Sequence, residues 1–235
     1  MKKKGKIVPA AAGAPRRRGP KPTLSAAQIA RAAIRLADAE GLAAVSMQRI
    51  AREVQVTTMA LYRYFSSKAK LIDLMIDTAG GPAPNLNVGS RGWRSSLKEW
   101  TRRCSSIYRD HPWFLEAATA RRRMMGPNEL AWLDAALAVL ACTGLRARQQ
   151  HDAFLLLIGH VRSNAEFTAG GAQGLSAKQW RGAMTKLLEK ERNRYSALRA
   201  AIDAGAFHQR PGAGLEFGLE CILDGIESLV GKRKK

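Results

Sequence analysis

The sequence predicts an all-α protein with a small N-terminal helix-turn-helix unit and a larger helical body. Three observations carry this. Residues 45–71 read as two short capped helices joined by a tight turn, followed by the start of another helix. From Trp93 onward apolar residues recur at helical spacing, with no convincing strand alternation. Between the two regions, Gly80-Gly81-Pro82-Ala83-Pro84-Asn85 interrupts the helical pattern.

Residues 1–22 hold eight basic side chains, among them Arg16, Arg17, Arg18 and Lys21, and no acid. Pro, Gly and Ala fill most of the rest, so the segment is expected to be disordered when free. Such a segment fits a solubilising tail or an arm along a nucleic-acid backbone, and the adjoining motif favours the arm. Leu24-Ser25-Ala26-Ala27-Gln28-Ile29 reads as a capping box with a hydrophobic staple. Ile29, Ala33, Leu36 and Ala37 then share a face, and Gly41 suits the position after a helix C-terminus. Ser46 is the next N-cap, with Val45 placed to staple onto Ile50; Thr57 repeats the device with Val56 and Leu61. The second helix of the motif, 58–65, is too short to be stable alone. Lys68 opens a fourth helix carrying Leu71, Ile72, Leu74, Met75 and Ile76.

In the body, helices are expected over 93–111, 113–125, from Pro127 or Asn128 to Gly144, over 146–169, and over 180–203 after a loop at 170–176. A last helix carries Phe217, Leu219, Ile222 and Ile226 and ends at Gly231.

With 235 residues, the chain has room for one large domain or two small ones, and 46% apolar residues are enough for a core. A formal net charge of +20 and a pI near 10.7 point to a polyanionic partner. Residues 23–79, however, hold seven basic and five acidic side chains, so the motif itself is only weakly charged. Cys104, Cys142 and Cys221 are odd in number and widely spaced, which predicts reduced, mostly buried thiols in a cytoplasmic protein. No run approaches the ~18 apolar residues of a membrane span, so no membrane partner is expected. The opening lysines resemble a signal n-region, but Pro9 and Gly13 break up the short apolar stretch after them, which argues against secretion. No nucleophile–base pair, paired carboxylates, Walker loop, GxGxxG or HExxH is visible. An enzyme is therefore the weakest reading, and neither cofactor nor metal is expected.

Thr57-Thr58-Met59-Ala60-Leu61-Tyr62-Arg63-Tyr64-Phe65, followed by Ser67-Lys68 and Leu71, resembles the recognition segment of the TetR/AcrR family. The usual family form is L-Y-x-[HY]-F-x-S/N-K-x-x-L, and the likeness extends back to Leu24. One departure is Gln55, where the family usually has glycine. The resemblance implies a sequence-specific DNA-binding regulator, expected to be a repressor released from a palindromic operator by a small, largely apolar effector. The alternative is a regulator or architectural protein without an effector. Carried over by position, the DNA contacts fall on Gln48, Thr57, Thr58, Met59, Tyr62, Tyr64 and Lys68, with Arg63 added. Thr58 and Met59 would read bases, while Tyr62, Tyr64 and Lys68 would hold phosphates, with packing in the module's core the alternative for Tyr64.

The resemblance also implies that residues 90–231 form a helical dimerisation and effector-binding domain. The homodimer interface is expected on the helices at 153–169 and 216–230, with Phe217, Leu219, Ile222 and Ile226 in the latter; burial within one subunit is the alternative for the same apolar stripe. The effector pocket is expected to include Trp100, His111, Trp113, Trp132, His160 and Asn164. For His160 and Asn164, spaced i, i+4, a satisfied core hydrogen bond is the commoner explanation. Arg121, Arg122 and Arg123 are read as a solvated face.

Overall fold

A computed structural model describes residues 24–86, 88–119, 125–173, 177–190, 194–206 and 212–231. The basic arm with Arg16, Arg17, Arg18 and Lys21 lies outside them, as do Arg121, Arg122 and Arg123. Among the described residues every regular element is helical.

The head consists of α1 (Ala26–Glu40), α2 (Met47–Glu53), α3 (Thr58–Tyr62) and α4 (Lys68–Gly80), with a 3₁₀ turn at Leu42–Ala44. The capping box at α1 is formed: the Gln28 N–H donates to Ser25 Oγ at 3.2 Å, and the Ser25 N–H donates to Gln28 Oε1 at 2.8 Å. Gly41 ends the helix at φ 83°, in the left-handed region that glycine adopts without steric cost. Ile29, Ala33, Ile50, Leu61, Leu71 and Met75 are buried and hold α1 to α4 together, in an apolar core continuous with that of the body. α3 ends at Tyr62, shorter than the expected 58–65.

The body comprises α5 (Val88–Asp110), α6 (Trp113–Thr119), α7 (Pro127–Ala141), α8 (Ala147–Gln173), α9 (Ala177–Lys190), α10 (Ser196–Asp203) and α11 (Ala213–Gly231). α8 is its centre, packed on by α5, α7 and α11. Leu97, Trp100, Leu140, Leu157, Val161, Leu219 and Leu223 fill the interior. Several expected boundaries shift. α5 begins before Trp93 and bends at Gly92, φ 72°. α8 runs through Gly170 and Gly171, since glycine weakens a helix without forbidding it. The expected 180–203 helix is two, because Tyr195 takes φ −126°, ψ 52°, outside the helical region. The thiols also differ from expectation: Cys104 is buried, but Cys142 and Cys221 are exposed. Among the described residues no helix is long and apolar enough to cross a membrane.

Head and body are joined by polar ties as well as by packing. Asp77, buried near the end of α4, receives the backbone N–H groups of Asn128 (2.8 Å) and Glu129 (3.1 Å) on one carboxylate oxygen. The Asn128 side-chain amide donates to the Asp77 carbonyl at 3.0 Å. A carboxylate of the head thus caps the N-terminus of α7, where anions are favoured. Trp132 Nε1 donates to the carbonyls of Gly80 and Gly81 at 3.2 and 3.1 Å, satisfying the end of α4. Asp38 of α1 meets His111 Nδ1 at 2.7 Å and accepts from Trp113 Nε1 at 2.6 Å.

Candidate nucleic-acid interface

α2 closes in a Schellman turn. The Val56 N–H reaches the Ala51 carbonyl at 2.9 Å and the Gln55 N–H reaches Arg52 at 3.1 Å. Gln55 sits at φ 56°, so the backbone follows the glycine form and a non-glycine residue carries a strain of about 1–2 kcal/mol. Thr57 then starts α3, its Oγ1 accepting the Ala60 N–H at 3.2 Å. Leu61 and Phe65 are buried beneath the helix, which turns its other side outward. Met59 is 76% exposed and Tyr62 47%. Gln48, Thr57, Arg63 and Lys68 are exposed, and Thr58 is half-buried. Ser67 caps α4 through the Lys70 N–H at 3.3 Å. Lys68 therefore lies in the first turn of α4, beside backbone N–H groups that favour an anion.

The head's cations fall into two groups. Arg49 holds Glu40 through two hydrogen bonds of 2.9 and 2.6 Å, which keep the Glu40 carboxyl below its usual range. Lys70 lies 3.7 Å from Asp73, and Arg35 lies 3.9 Å from Glu53. Arg31, Arg52, Arg63 and Lys68 have no ion pair among the described residues and are exposed. Arg52 escaped the sequence reading, although it lies one helical turn from Gln48 on α2. Tyr64 calls for a correction. Its hydroxyl donates to the Leu24 carbonyl at 2.6 Å, so its one proton is committed within the head. It fastens the start of α1 to the recognition segment instead of offering a phosphate a donor.

The expected effector residues are spread over several helix contacts, where the polar tips of Trp100, His111, Trp113, Trp132 and His160 have partners. Trp100 is buried, donates to the Trp132 carbonyl at 3.0 Å, and packs edge-on to Trp132 and Phe154. Trp132, His111 and Trp113 make the head–body ties described above. His160 Nε2 meets the Leu215 carbonyl of α11 at 2.9 Å. Gly218 leaves room for that imidazole, which a Cβ would overlap, and Asn164 lies beside Gly214 at the same crossing. An open groove of about 670 Å³ instead lies along α5 and the start of α11, lined by Arg102, Arg103, Ser105, Arg109, Leu215 and Glu216 among others.

The expected dimer surface also changes. Leu219 and Ile226 are buried within the subunit, on the inner face of α11 with Leu215 and Leu223. Phe217, 75% exposed, faces outward with Cys221 and Leu229, while Ile222 is half-buried. On α8 the outward apolar residues are Leu155, Leu156 and Phe167. Asp77 was missed altogether. Its signal was an acid in the apolar run of α4 with no cation three or four residues away.

A capped two-helix motif, its second helix outward and flanked by unpaired cations, defines a helix-turn-helix protein with a separate helical body. The chain belongs to the tetR family of bacterial regulatory proteins. Residues 29–75 match the profile described as "Bacterial regulatory proteins, tetR family", and residues 83–230 match "Tetracyclin repressor-like, C-terminal domain". The HTH-type transcriptional repressor DrrR1 of Streptomyces coeruleorubidus is 35% identical over 228 residues, 92% of this chain and 82% of that protein. Among solved structures, apo ActR from Streptomyces coelicolor superposes with a TM-score of 0.77 at 25% identity, over 91% of this chain and 100% of that one. ActR in complex with (S)-DNPA gives 0.73 at 25% identity, over 88% of this chain and 98% of that one.

Proposed function

We propose that the protein is a dimeric transcriptional repressor, acting in the cytoplasm, that leaves a roughly palindromic operator when a small, largely apolar molecule binds its body. One observation carries the reading: Met59 and Tyr62 project from a capped α3 beside Arg52, Arg63 and Lys68, cations without ion pairs among the described residues. Thr58 and Met59 read base edges, with Gln48 at the groove margin. Tyr62, Lys68, Arg63 and Thr57 hold the backbone. Residues 23–79 form the reading head and 90–231 the dimerisation and effector domain. The arm, 1–22, adds affinity by counterion release through Arg16, Arg17, Arg18 and Lys21. Two half-sites about 34–36 Å apart require two heads, and the outward apolar residues of α8 and α11 offer the surface to pair them.

Effector control is supported by the likeness to ActR, solved with (S)-DNPA, and by the ties from Asp38, Asp77 and Trp132 that link body to head. A coupling of about 1–3 kcal/mol would weaken DNA binding roughly 5- to 150-fold. The close packing around Trp100 favours a second reading, a regulator without an effector. The test selects bound duplexes from a random pool and then screens compounds for release. Thr58→Ala is expected to change the preferred sequence, while Lys68→Ala weakens all sites alike. Identical changes from both would overturn the division of labour. Selected DNA that no compound releases would favour the second reading.

A further inference from the structure

The contact between α5 and α8 bears on what kind of molecule the body takes, and the inference rests on reading the body as an effector domain. Thr101, Cys104 and Tyr108 recur on one buried face of α5. The Thr101 hydroxyl is fully buried and has no hydrogen-bond partner, although a helical threonine can bond the carbonyl one turn back. α8 brings Arg162, half-buried, to this face. Its Nε donates to the Tyr108 hydroxyl at 3.4 Å, a long bond to a neutral oxygen. Arg162 has no carboxylate partner among the described residues.

Cys104 does not supply the missing negative charge. Burial pushes its thiol up to about 12, and Arg162 offsets only part of that, so the sulfur is neutral at ordinary pH. Cations of α5 are treated differently: Arg94, Lys98 and Arg102 are all matched by acids of α11. A partly desolvated cation and a buried orphan hydroxyl each cost free energy that a suitable partner removes. Beside them, Tyr108 and Phe114 form an edge-to-face pair with centroids 5.2 Å apart. The open groove follows the adjoining side of α5, and its three arginines, Arg102, Arg103 and Arg109, are each paired with an acid, Glu216, Glu99 and Asp110, unlike Arg162.

We propose that the α5–α8 contact is an anion site that takes the acidic group of an aromatic effector. The carboxylate or phenolate pairs with Arg162 and accepts a hydrogen bond from the Thr101 hydroxyl. The ring system lies against Tyr108 and Phe114.

The experiment uses the full-length protein and two probes with the same ring, 1-naphthoate and methyl 1-naphthoate, followed by tryptophan fluorescence and calorimetry. The acid is expected to bind about tenfold more tightly than the ester, or better. Arg162→Met should bring the acid down to the ester's affinity and leave the ester unchanged. Arg162→Lys should keep part of the preference, and Thr101→Val should weaken the acid several-fold. These two variants serve if Arg162→Met does not fold. Equal binding of acid and ester by the unaltered protein, no binding of the acid at millimolar concentration, or a preference that survives Arg162→Met overturns the site. A neutral compound that releases DNA while naphthoate binds no better would overturn it and leave effector control standing. Naphthoate bound through Arg162 without loosening DNA would support the site and remove effector control by that molecule.

Discussion

The head closes its own helices; the body has an end closed from elsewhere. α1, α2, α3 and α4 each begin on a hydroxyl from the preceding residue: Ser25, Ser46, Thr57 and Ser67. α7 begins at Gly126, which has no side chain, and the carboxylate that caps it is Asp77 of α4. α10 begins without any side-chain cap. Structure in the head is therefore encoded between near neighbours in the chain. In the body it depends on residues brought together by packing, and one of them belongs to the head.

The largest expected effect breaks that dependence. Asp77→Ala removes a buried acceptor from two backbone N–H groups and should cost about 2–4 kcal/mol in urea denaturation. A loss below about 1 kcal/mol would show that α7 closes itself, and the contrast between head and body would fail. Thr57→Ala sharpens the other side. It should cost about 1 kcal/mol, with hydrogen exchange rising at 57–65 and unchanged in α8. Gln55→Gly relieves the left-handed strain at the expense of a more flexible unfolded chain. The net gain expected is about 0.5 kcal/mol, with the selected DNA sequence unchanged; a loss would mean that the glutamine side chain holds the turn.

The smallest effect concerns the ladder between α5 and α11, where Arg102 pairs with Glu216, and Arg94 and Lys98 reach Glu220. The hydrogen bond from Arg102 lowers Glu216, and those from Lys98 and Arg94 lower Glu220. Carboxylates held below their unfolded values stabilise the fold above the unfolded pKa of about 4.3, and that contribution is lost as pH falls through the folded values. These groups are largely exposed, so screening keeps the effect small. Arg102→Ala should flatten the acid limb of the stability curve, and salt should do the same to the parent protein. An acid limb unchanged by either would show that the ladder contributes nothing.

Legibility in the sequence divides along the same line. Ser25 with Gln28, Ser46, and Thr57 announced the head because cap and capped residue lie three positions apart. The glycine-like turn at Gln55 was legible only as a conflict between residue and motif, and the backbone resolves it at φ 56°. In α11 the apolar stripe was visible, but not which part of it turns inward. Leu219 is buried and Phe217 exposed, and an amphipathic pattern is the same whether a stripe packs within one chain or between two. The site residues suffered most from this. The family resemblance assigned Tyr64 to a phosphate, yet no local pattern reveals that a carbonyl forty residues earlier accepts its hydrogen bond. Trp100, Trp132 and His111 looked like pocket residues because aromatic and polar tips line pockets and helix contacts alike.

The close fit at Gly126 restricts how relatives can exchange parts. A Cβ on Gly126 would overlap the carboxyl group and the Cβ of Asp77. A body with alanine at that place would therefore reject this head, and a head lacking the acid would leave this body with an open helix end. Swapping reading heads between regulators, in the laboratory or by recombination, thus has a two-residue compatibility rule: aspartate on one side of the junction and glycine on the other must travel together.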